Sequence, residues 1–135
     1  MIKSFNFGIC KRIEIVQGDN FYDLHNCYDL YGFSLSMKCG VLGFRPNPVY
    51  GKGLQPIILE FHNLDFFQVR LDFSDVEHLM LHEIGFKSPN DFDDEWLLEY
   101  DQATCEDHIF FRFFGDFFIR LHGSGAEVRE GLMQG

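Results

Sequence analysis

Apolar and polar residues alternate with a period of two along much of this chain. The clearest run covers residues 67–73, FQVRLDF, where apolar side chains occupy every second position. Because successive side chains of a strand point to opposite faces, this run predicts a strand with one face on a core and the other in water. Shorter alternations over residues 13–15 and 33–37 predict two more such strands. Residues 57–61 predict a further strand, which a turn at residues 63–65 would return into the 67–73 strand as a hairpin.

A second hairpin is predicted near the C-terminus. Residues 108–114 and 117–122 are mostly apolar and meet across Gly115 and Asp116. A two-residue loop with glycine first suits a type II′ turn, whose twist matches that of paired strands. Such an apolar ribbon is either covered on both faces or partly exposed as a binding surface.

The helical signals are weaker than the strand signals. Residues 19–28 predict a short helix, and residues 94–100 fit a helix or a strand. Residues 79–83 alternate and favour a strand preceded by a turn at residues 74–77, although SDVE at 74–77 also fits a helical capping box.

Two segments predict loops. Residues 40–56, GVLGFRPNPVYGKGLQP, hold four glycines and three prolines and predict a surface loop or an irregular edge. Residues 87–95, KSPNDFDDE, predict a second, acidic loop.

These elements predict a mainly β fold, with a β-rich α+β arrangement as the alternative. We expect an antiparallel sandwich or a strongly curved sheet with one or two short helices. The chain has 135 residues, of which 46% are hydrophobic and 17 are Phe, so it can fill one core. No linker, repeat or low-complexity tract divides it, which predicts a single domain over residues 1–135.

The charge balance limits the classes of partner. Lys and Arg number 11 against 21 Asp and Glu, which gives a formal net charge of -10. A nucleic-acid partner is not expected, because binding phosphates requires a basic surface. The same charge would attract a basic protein and speed its arrival, whereas solubility alone is the alternative explanation.

The sequence also predicts the cellular setting. No signal-peptide pattern opens the chain, and the apolar runs are too short for a membrane span. The cysteines show no C-x-x-C pairing, which predicts reduced thiols rather than a zinc ribbon or a disulfide framework. They are Cys10, Cys27, Cys39 and Cys105. We therefore expect a cytoplasmic protein that interacts with no membrane.

Candidate catalytic chemistry is sparse. His78 and His82 are four residues apart and share a face on a helix or a strand, so together with a carboxylate they are candidates for a transition-metal site. The zinc-protease signatures are absent, because no Glu stands between these histidines. His108 and His122 are expected to touch across the C-terminal hairpin as a structural pair. We expect no catalytic residues and no cofactor.

An acidic, aromatic surface is the remaining candidate site. Its residues are Asp91, Phe92, Asp93, Asp94, Glu95 and Trp96, followed by Asp101, Glu106 and Asp107. Aromatic anchors ringed by carboxylates suit an interface with a basic protein, because the apolar groups give affinity and the charges give rate and choice of partner. The alternative is a solvated loop whose Phe92 and Trp96 tuck back into the core.

The segment FFQVRLDFSDVEHLMLHEIGF, which ends at Phe86, resembles small bacterial immunity proteins of polymorphic toxin systems. In that family an alternating strand ends in Phe, and a short turn and Val lead to the next strand. Leu24, His25, Asn26 and Cys27 resemble the family's opening, which usually has His-Asp where this chain has Asn26. The resemblance implies a β-rich cytoplasmic protein that binds and neutralises a cognate toxin.

The expected function is therefore non-catalytic binding of a cognate toxin or another basic protein. Two alternatives stay open at this point. One is a metal-dependent enzyme that uses His78 and His82, and the other is a small-ligand-binding domain whose Phe-rich interior forms a pocket. The pattern of residues does not determine the oligomeric state.

Overall fold

The regular secondary structure of the described residues consists almost entirely of antiparallel strands. The computed structural model describes residues 4–71, 79–93 and 96–133, and over these residues the expected mainly β fold is confirmed. The strands are β1 Gly8–Cys10, β2 Glu14–Gln17, β3 Asn20–Asp23, β4 Tyr28–Ser36, β5 Cys39–Pro46, β6 Ile57–His62, β7 Phe66–Arg70, β8 Leu81–Lys87, β9 His108–Phe113, β10 Phe117–His122 and β11 Gly125–Glu130. Within the described ranges, a 3-10 turn lies at Tyr100–Gln102.

These strands form three sheets. A small N-terminal sheet has the order β1-β2-β3. The front sheet has the order β7-β10-β9-β8, and the back sheet has the order β11-β6-β5-β4. All neighbouring strands within the sheets run antiparallel. Among the described residues, no helix is long or apolar enough to cross a membrane.

The core lies between the front and back sheets. Phe111 of β9 meets Phe44 of β5 and Phe61 of β6, with ring centroids 6.5 and 6.1 Å apart. All three rings are buried, as are Ile119 and Leu121 of β10. Aromatic side chains from two sheets thus interdigitate face to face, as in a β-sandwich.

The predicted strand at residues 67–73 is confirmed as β7 over its described part. Phe67 and Val69 pack against the core while Gln68 and Arg70 are exposed, as the alternation requires. Phe73 lies outside the described residues, as does the predicted turn at 74–77.

The hairpin predicted between residues 57–61 and this strand is wrong. β6 pairs with β5 and β11, whereas β7 pairs with β10 in the other sheet. The chain changes sheets at the intervening turn, because the N–H of Leu64 bonds the carbonyl of Lys38 in the back sheet and the N–H of Asp65 bonds that of His122 in the front sheet. The turn predicted at residues 63–65 does lie between β6 and β7, but it connects the back sheet to the front sheet.

The loop predicted over residues 40–56 is wrong in its first half. Residues 40–46 belong to β5, which is paired on both sides by β4 and β6. Gly40 and Gly43 allow neighbouring side chains to pack closely against β5. An added Cβ would lie 2.8 Å from Leu64 Cδ1 at Gly40 and 2.7 Å from Met133 Sδ at Gly43. Residues 47–56 lie outside the strands, as predicted.

The short helix predicted over residues 19–28 is also wrong. Gly18 has a φ of 58° and turns the chain so that Gln17 pairs with Asn20, which makes β2 and β3 a hairpin. A left-handed residue of this kind favours a reversal over a helix start.

Two predictions about the later strands are confirmed, one of them with a correction. The C-terminal hairpin forms as β9 and β10, but Gly115 and Asp116 both have positive φ, 90° and 64°. A type II′ turn has positive φ only at its first central residue, so the predicted turn type is wrong. The strand favoured for residues 79–83 is present as β8 from Leu81 onwards.

Candidate protein-binding surface

The outer face of the front sheet, opposite the core, carries its charged residues in rows across the strands. The rows follow from the register of the paired strands. The first row holds Arg70, Phe118, Arg112 and Glu83; the second holds Gln68, Arg120, Phe110 and Gly85; the third holds Phe66, His122, His108 and Lys87. This face is therefore rich in cations although the chain as a whole is acidic.

A covering segment, described at residues 88–93 and 96–98, lies against this face. Leu98 pairs with Phe86 through two backbone hydrogen bonds of 2.8 and 2.9 Å, and Leu97 is buried. At Gly85 a Cβ would come within 2.5 Å of Leu97 Cβ, so glycine is what permits this close approach. The covering segment is thus packed onto β8.

Arg120 of β10 is the first of two buried cations under the covering segment. Its side chain is 2% exposed and donates through Nη1 to the carbonyl of Asp91 at 2.6 Å and through Nη2 to that of Ser88 at 3.0 Å. Its Nε donates to His108 Nδ1 at 2.9 Å. A buried charge requires such hydrogen bonds to compensate for lost hydration, so the segment and the cation stabilise each other.

Lys87 is the second buried cation. Its Nζ donates to the carbonyl of Trp96 at 2.7 Å and to Asp93 Oδ1 at 3.2 Å, and it lies 3.6 Å from Asp91 Oδ2. Two carboxylates of the predicted acidic surface therefore compensate a buried ammonium group. Among the described residues, no buried side-chain nitrogen or oxygen lacks a hydrogen-bond partner.

The pKa values of the two histidines beside Arg120 are shifted in opposite directions. Burial, together with the positive charge of Arg120, lowers the pKa of His108 to about 4, so its neutral ring accepts the hydrogen bond from Arg120. Burial alone would lower the pKa of His122, but hydrogen bonds from both ring nitrogens to the carbonyl of Cys105 and the carboxylate of Asp65 raise it. The rings lie 5.3 Å apart, which confirms the expected structural pair.

Phe92 and Trp96 project from the covering segment into solvent. Their exposed fractions are 62% and 69%, so the alternative in which they tuck into the core is wrong. The Phe92 ring lies over the Arg120 guanidinium, with its centroid 4.6 Å from Cζ. The two buried cations donate hydrogen bonds to the backbone carbonyls of Asp91 and Trp96. The backbone that carries the two aromatic rings is therefore held in place.

The other predicted surface residues lie elsewhere or outside the described part. Asp94 and Glu95 lie outside the described residues. Asp101 lines a cleft with Arg12 beside β1, while Glu106 and Asp107 belong to the turn before β9, where the Asp107 carboxylate accepts from the N–H of Thr104 at 2.8 Å. Of the predicted set, the contacts unite Asp91, Phe92, Asp93 and Trp96. We call these four residues the aromatic patch.

Of the two histidines predicted to bind a metal, only His82 is among the described residues. His82 is exposed and stacks on Phe114 at the tip of the β9-β10 hairpin, with centroids 4.9 Å apart. His78 lies outside the described residues, so the pair remains a prediction.

In the phenylalanine-rich interior the rings of Phe44 and Phe61 pack against Phe111, and a depression lies on the outer face of the front sheet. It has a volume of about 460 Å³ and is lined by Phe110, Phe118, Arg70 and Arg112 beside the hairpin tip. The sequence pattern had indicated neither this depression nor the buried cations Lys87 and Arg120. A lone Arg in the apolar strand FFIRLH was the available signal for Arg120.

Comparison with protein-family models, curated proteins and solved structures gave no match. The function of this surface is therefore argued from its own residues.

Proposed function

We propose that this protein is a non-catalytic binding protein that docks a basic protein through the aromatic patch. The observation that carries the proposal is the exposure of Phe92 and Trp96 on a segment whose backbone is tied to buried Arg120 and Lys87. The finer proposal, which rests on the sequence resemblance, is that the partner is a toxin domain that this protein neutralises.

A fixed backbone favours tight binding. Association loses free energy when interface loops and side chains become ordered, and a segment already held in place loses less. Exposed aromatic side chains on such a base are typical of residues that dominate interface energies. Solubility alone accounts for acidic residues but not for two large aromatic groups held in water.

Charge complementarity defines the partner's chemistry. The formal net charge is -10, and Asp93 keeps 64% of its side chain exposed beside Phe92. A basic partner would be steered towards this surface, and its cations would meet carboxylates around an apolar centre. We therefore expect association that slows as salt increases.

The test is calorimetry with the product of the neighbouring gene as the candidate partner. Phe92→Ala and Trp96→Ala should each weaken binding by about 30-fold or more, as expected for residues that dominate an interface. Phe21→Ala is the matched control, because Phe21 is 63% exposed on β3 in the N-terminal sheet. A complex that is absent at low salt, or that Phe21→Ala weakens as much, would contradict the proposal.

A second candidate is small-ligand binding in the depression at the hairpin tip. The first row places Phe118 between Arg70 and Arg112, which suits a ligand with an aromatic ring and an anionic group. Salicylate is a simple probe of this chemistry. Saturable chemical-shift changes at Arg70 and Arg112 that Phe118→Ala abolishes would support this function, and their absence at millimolar salicylate would count against it.

A further inference from the structure

A group of metal-binding residue types lies on the outer face of the back sheet, far from the predicted histidine pair in sequence. Cys39 begins β5, Glu60 and His62 belong to β6, and Glu127 belongs to β11. The register places Cys39 next to His62, because Gly40 pairs with Phe61, and it places Glu127 opposite Glu60. Three neighbouring strands thus contribute side chains to one point of the surface.

All four side chains point away from the core because of the strand alternation. Phe61, Ala126 and Val128 are buried, so the residues adjacent to them on β6 and β11 face outwards. The exposed fractions of the His62 and Glu127 side chains are 42% and 45%, whereas that of Glu60 is 22%. The cluster is therefore accessible to an ion and still partly shielded.

The donor atoms are already close together. Cys39 Sγ lies 3.3 Å from Glu60 Oε1, and His62 Nε2 lies 3.6 Å from Glu127 Oε1. One donor atom each from Cys39, Glu60 and His62 falls within 4.8 Å of the other two. In a zinc tetrahedron with bonds of about 2.0 to 2.3 Å, ligand atoms lie about 3.5 Å apart. The widest gap among these three residues therefore closes with a side-chain movement of about 1 Å, and Glu127, whose carboxylate already lies 3.6 Å from His62 Nε2, would turn in as the fourth ligand.

We propose that Cys39, Glu60, His62 and Glu127 form a zinc-binding site. One thiolate, one imidazole and two carboxylates are a ligand set that Zn²⁺ accepts in tetrahedral geometry. The thiol and the imidazole disfavour Mg²⁺ and Ca²⁺, which prefer oxygen ligands. The site does not depend on the proposed protein partner, since it lies on the other sheet.

Arg129 of β11 holds the carboxylates in the absence of metal. Its Nη1 donates to Glu60 Oε2 and lies 3.9 Å from Glu127 Oε1. Binding of Zn²⁺ breaks the ion pair between Arg129 and Glu60, and the Arg129 side chain, 49% exposed, turns into water. The thiol proton of Cys39, which is donated to Glu60 without metal, passes to solvent as the metal–sulfur bond forms.

The test uses Co²⁺ as a spectroscopic probe and Zn²⁺ in competition with a chromophoric chelator, on the reduced full chain. One equivalent of Co²⁺ should give a thiolate charge-transfer band in the near ultraviolet. Cys39→Ser should remove the band, and His62→Ala should weaken Zn²⁺ binding by about 100-fold or more, because losing a ligand costs more than the 10–100-fold typical of outer-shell changes. Circular dichroism checks that each variant is folded.

Matched controls separate this site from other donors. Cys105→Ser, at an exposed cysteine, and His82→Ala should leave the band and the affinity unchanged. Arg129→Met should tighten Zn²⁺ binding, because it removes the competing cation. A band that persists in Cys39→Ser, an affinity that falls with His82→Ala instead of His62→Ala, or no stoichiometric binding would each overturn the proposal.

Discussion

The outer faces of the two large sheets differ in whether their charged side chains are buried or exposed to solvent. On the front sheet, Arg120 and Lys87 are buried beneath the covering segment, and each is matched by several acceptors. On the back sheet, Glu60 and Arg129 pair at the surface, where water reaches both side chains. The same strand alternation places charges on each face, but Arg120 and Lys87 on the front face are buried, whereas Glu60 and Arg129 on the back face are not.

This difference in burial indicates which kind of binding each outer face favours. Buried cations that bond backbone carbonyls hold one arrangement, because breaking a contact leaves an unsatisfied group away from water. Exposed ion pairs contribute little and exchange partners readily. The front face therefore presents a fixed binding segment, while the back face has ligands that an ion can recruit.

The largest expected effect on the free energy of unfolding comes from removing a buried cation of the front sheet. Arg120→Met should lower the free energy of unfolding by about 3–5 kcal/mol, because the carbonyls of Ser88 and Asp91 lose their donor. Urea denaturation measures the change. Arg70→Met, at an exposed arginine of the same sheet, should change it by about 0.5 kcal/mol or less. Equal losses in the two variants would show that the covering segment is not held by Arg120.

A smaller effect tests how closely the covering segment is packed. Gly85→Ala should lower the free energy of unfolding by about 1–3 kcal/mol, since the new Cβ would meet Leu97 Cβ and the Leu98 carbonyl at 2.5 and 3.0 Å. Gly43→Ala on the back face should cost less, because the atoms it meets are the ends of the Met133 and Tyr31 side chains, which can move. Thermal and urea unfolding of both variants give the comparison, and the reverse order would contradict it.

The buried histidine should make stability depend on pH. His108 has its pKa lowered to about 4 in the fold, so between about pH 6.5 and 4 the unfolded chain binds more protons than the folded one. The free energy of unfolding should fall as pH falls through this window, by at most about 1.4 kcal/mol per pH unit. The raised pKa of His122 acts above pH 6.5, where stability is lost as pH rises.

Urea denaturation between pH 6.5 and 5 isolates this effect from the carboxylates. His108→Gln keeps an acceptor for Arg120 but does not titrate, so it should flatten the profile. An unchanged slope in this variant would assign the pH dependence to other groups.

The smallest effect concerns the back face. Arg129→Ala should lower the free energy of unfolding by less than about 1 kcal/mol, because its ion pairs with Glu60 and Glu127 are exposed to solvent. Unfolding measured in low and high salt should show the difference shrinking as salt screens the pairs. A loss as large as that of Arg120→Met would remove the contrast between the faces.

Alternation in the sequence predicted strands wherever it ran long enough. β7 follows directly from it, since a period of two is a local property of the chain, whereas the β9-β10 hairpin was predicted from two apolar runs that meet across Gly115 and Asp116. β5 was missed because its glycines look like loop residues, although pairing with β4 and β6 makes it central. Residues 19–28 contain β3 instead of the predicted helix, because the reversal at Gly18 outweighs a weak local helical preference.

The candidate sites were predictable to different degrees. The acidic run with Phe92 and Trp96 is contiguous, so its composition was visible in the sequence. The buried Lys87 and Arg120 under it were not, because their burial depends on where the covering segment lies. The back-sheet cluster was invisible for the same reason: its residues come from three strands that only the register brings together.

By itself, the sequence determined that the chain builds strands, that its surface is acidic and that it can fill one core. The tertiary structure decided which strands pair, that the chain changes sheets after β6, and which outward-facing charges are buried. The physical reason is that strand formation is encoded in neighbouring residues, whereas backbone hydrogen bonds between strands are chemically alike for many registers. Contacts between distant side chains select one of them.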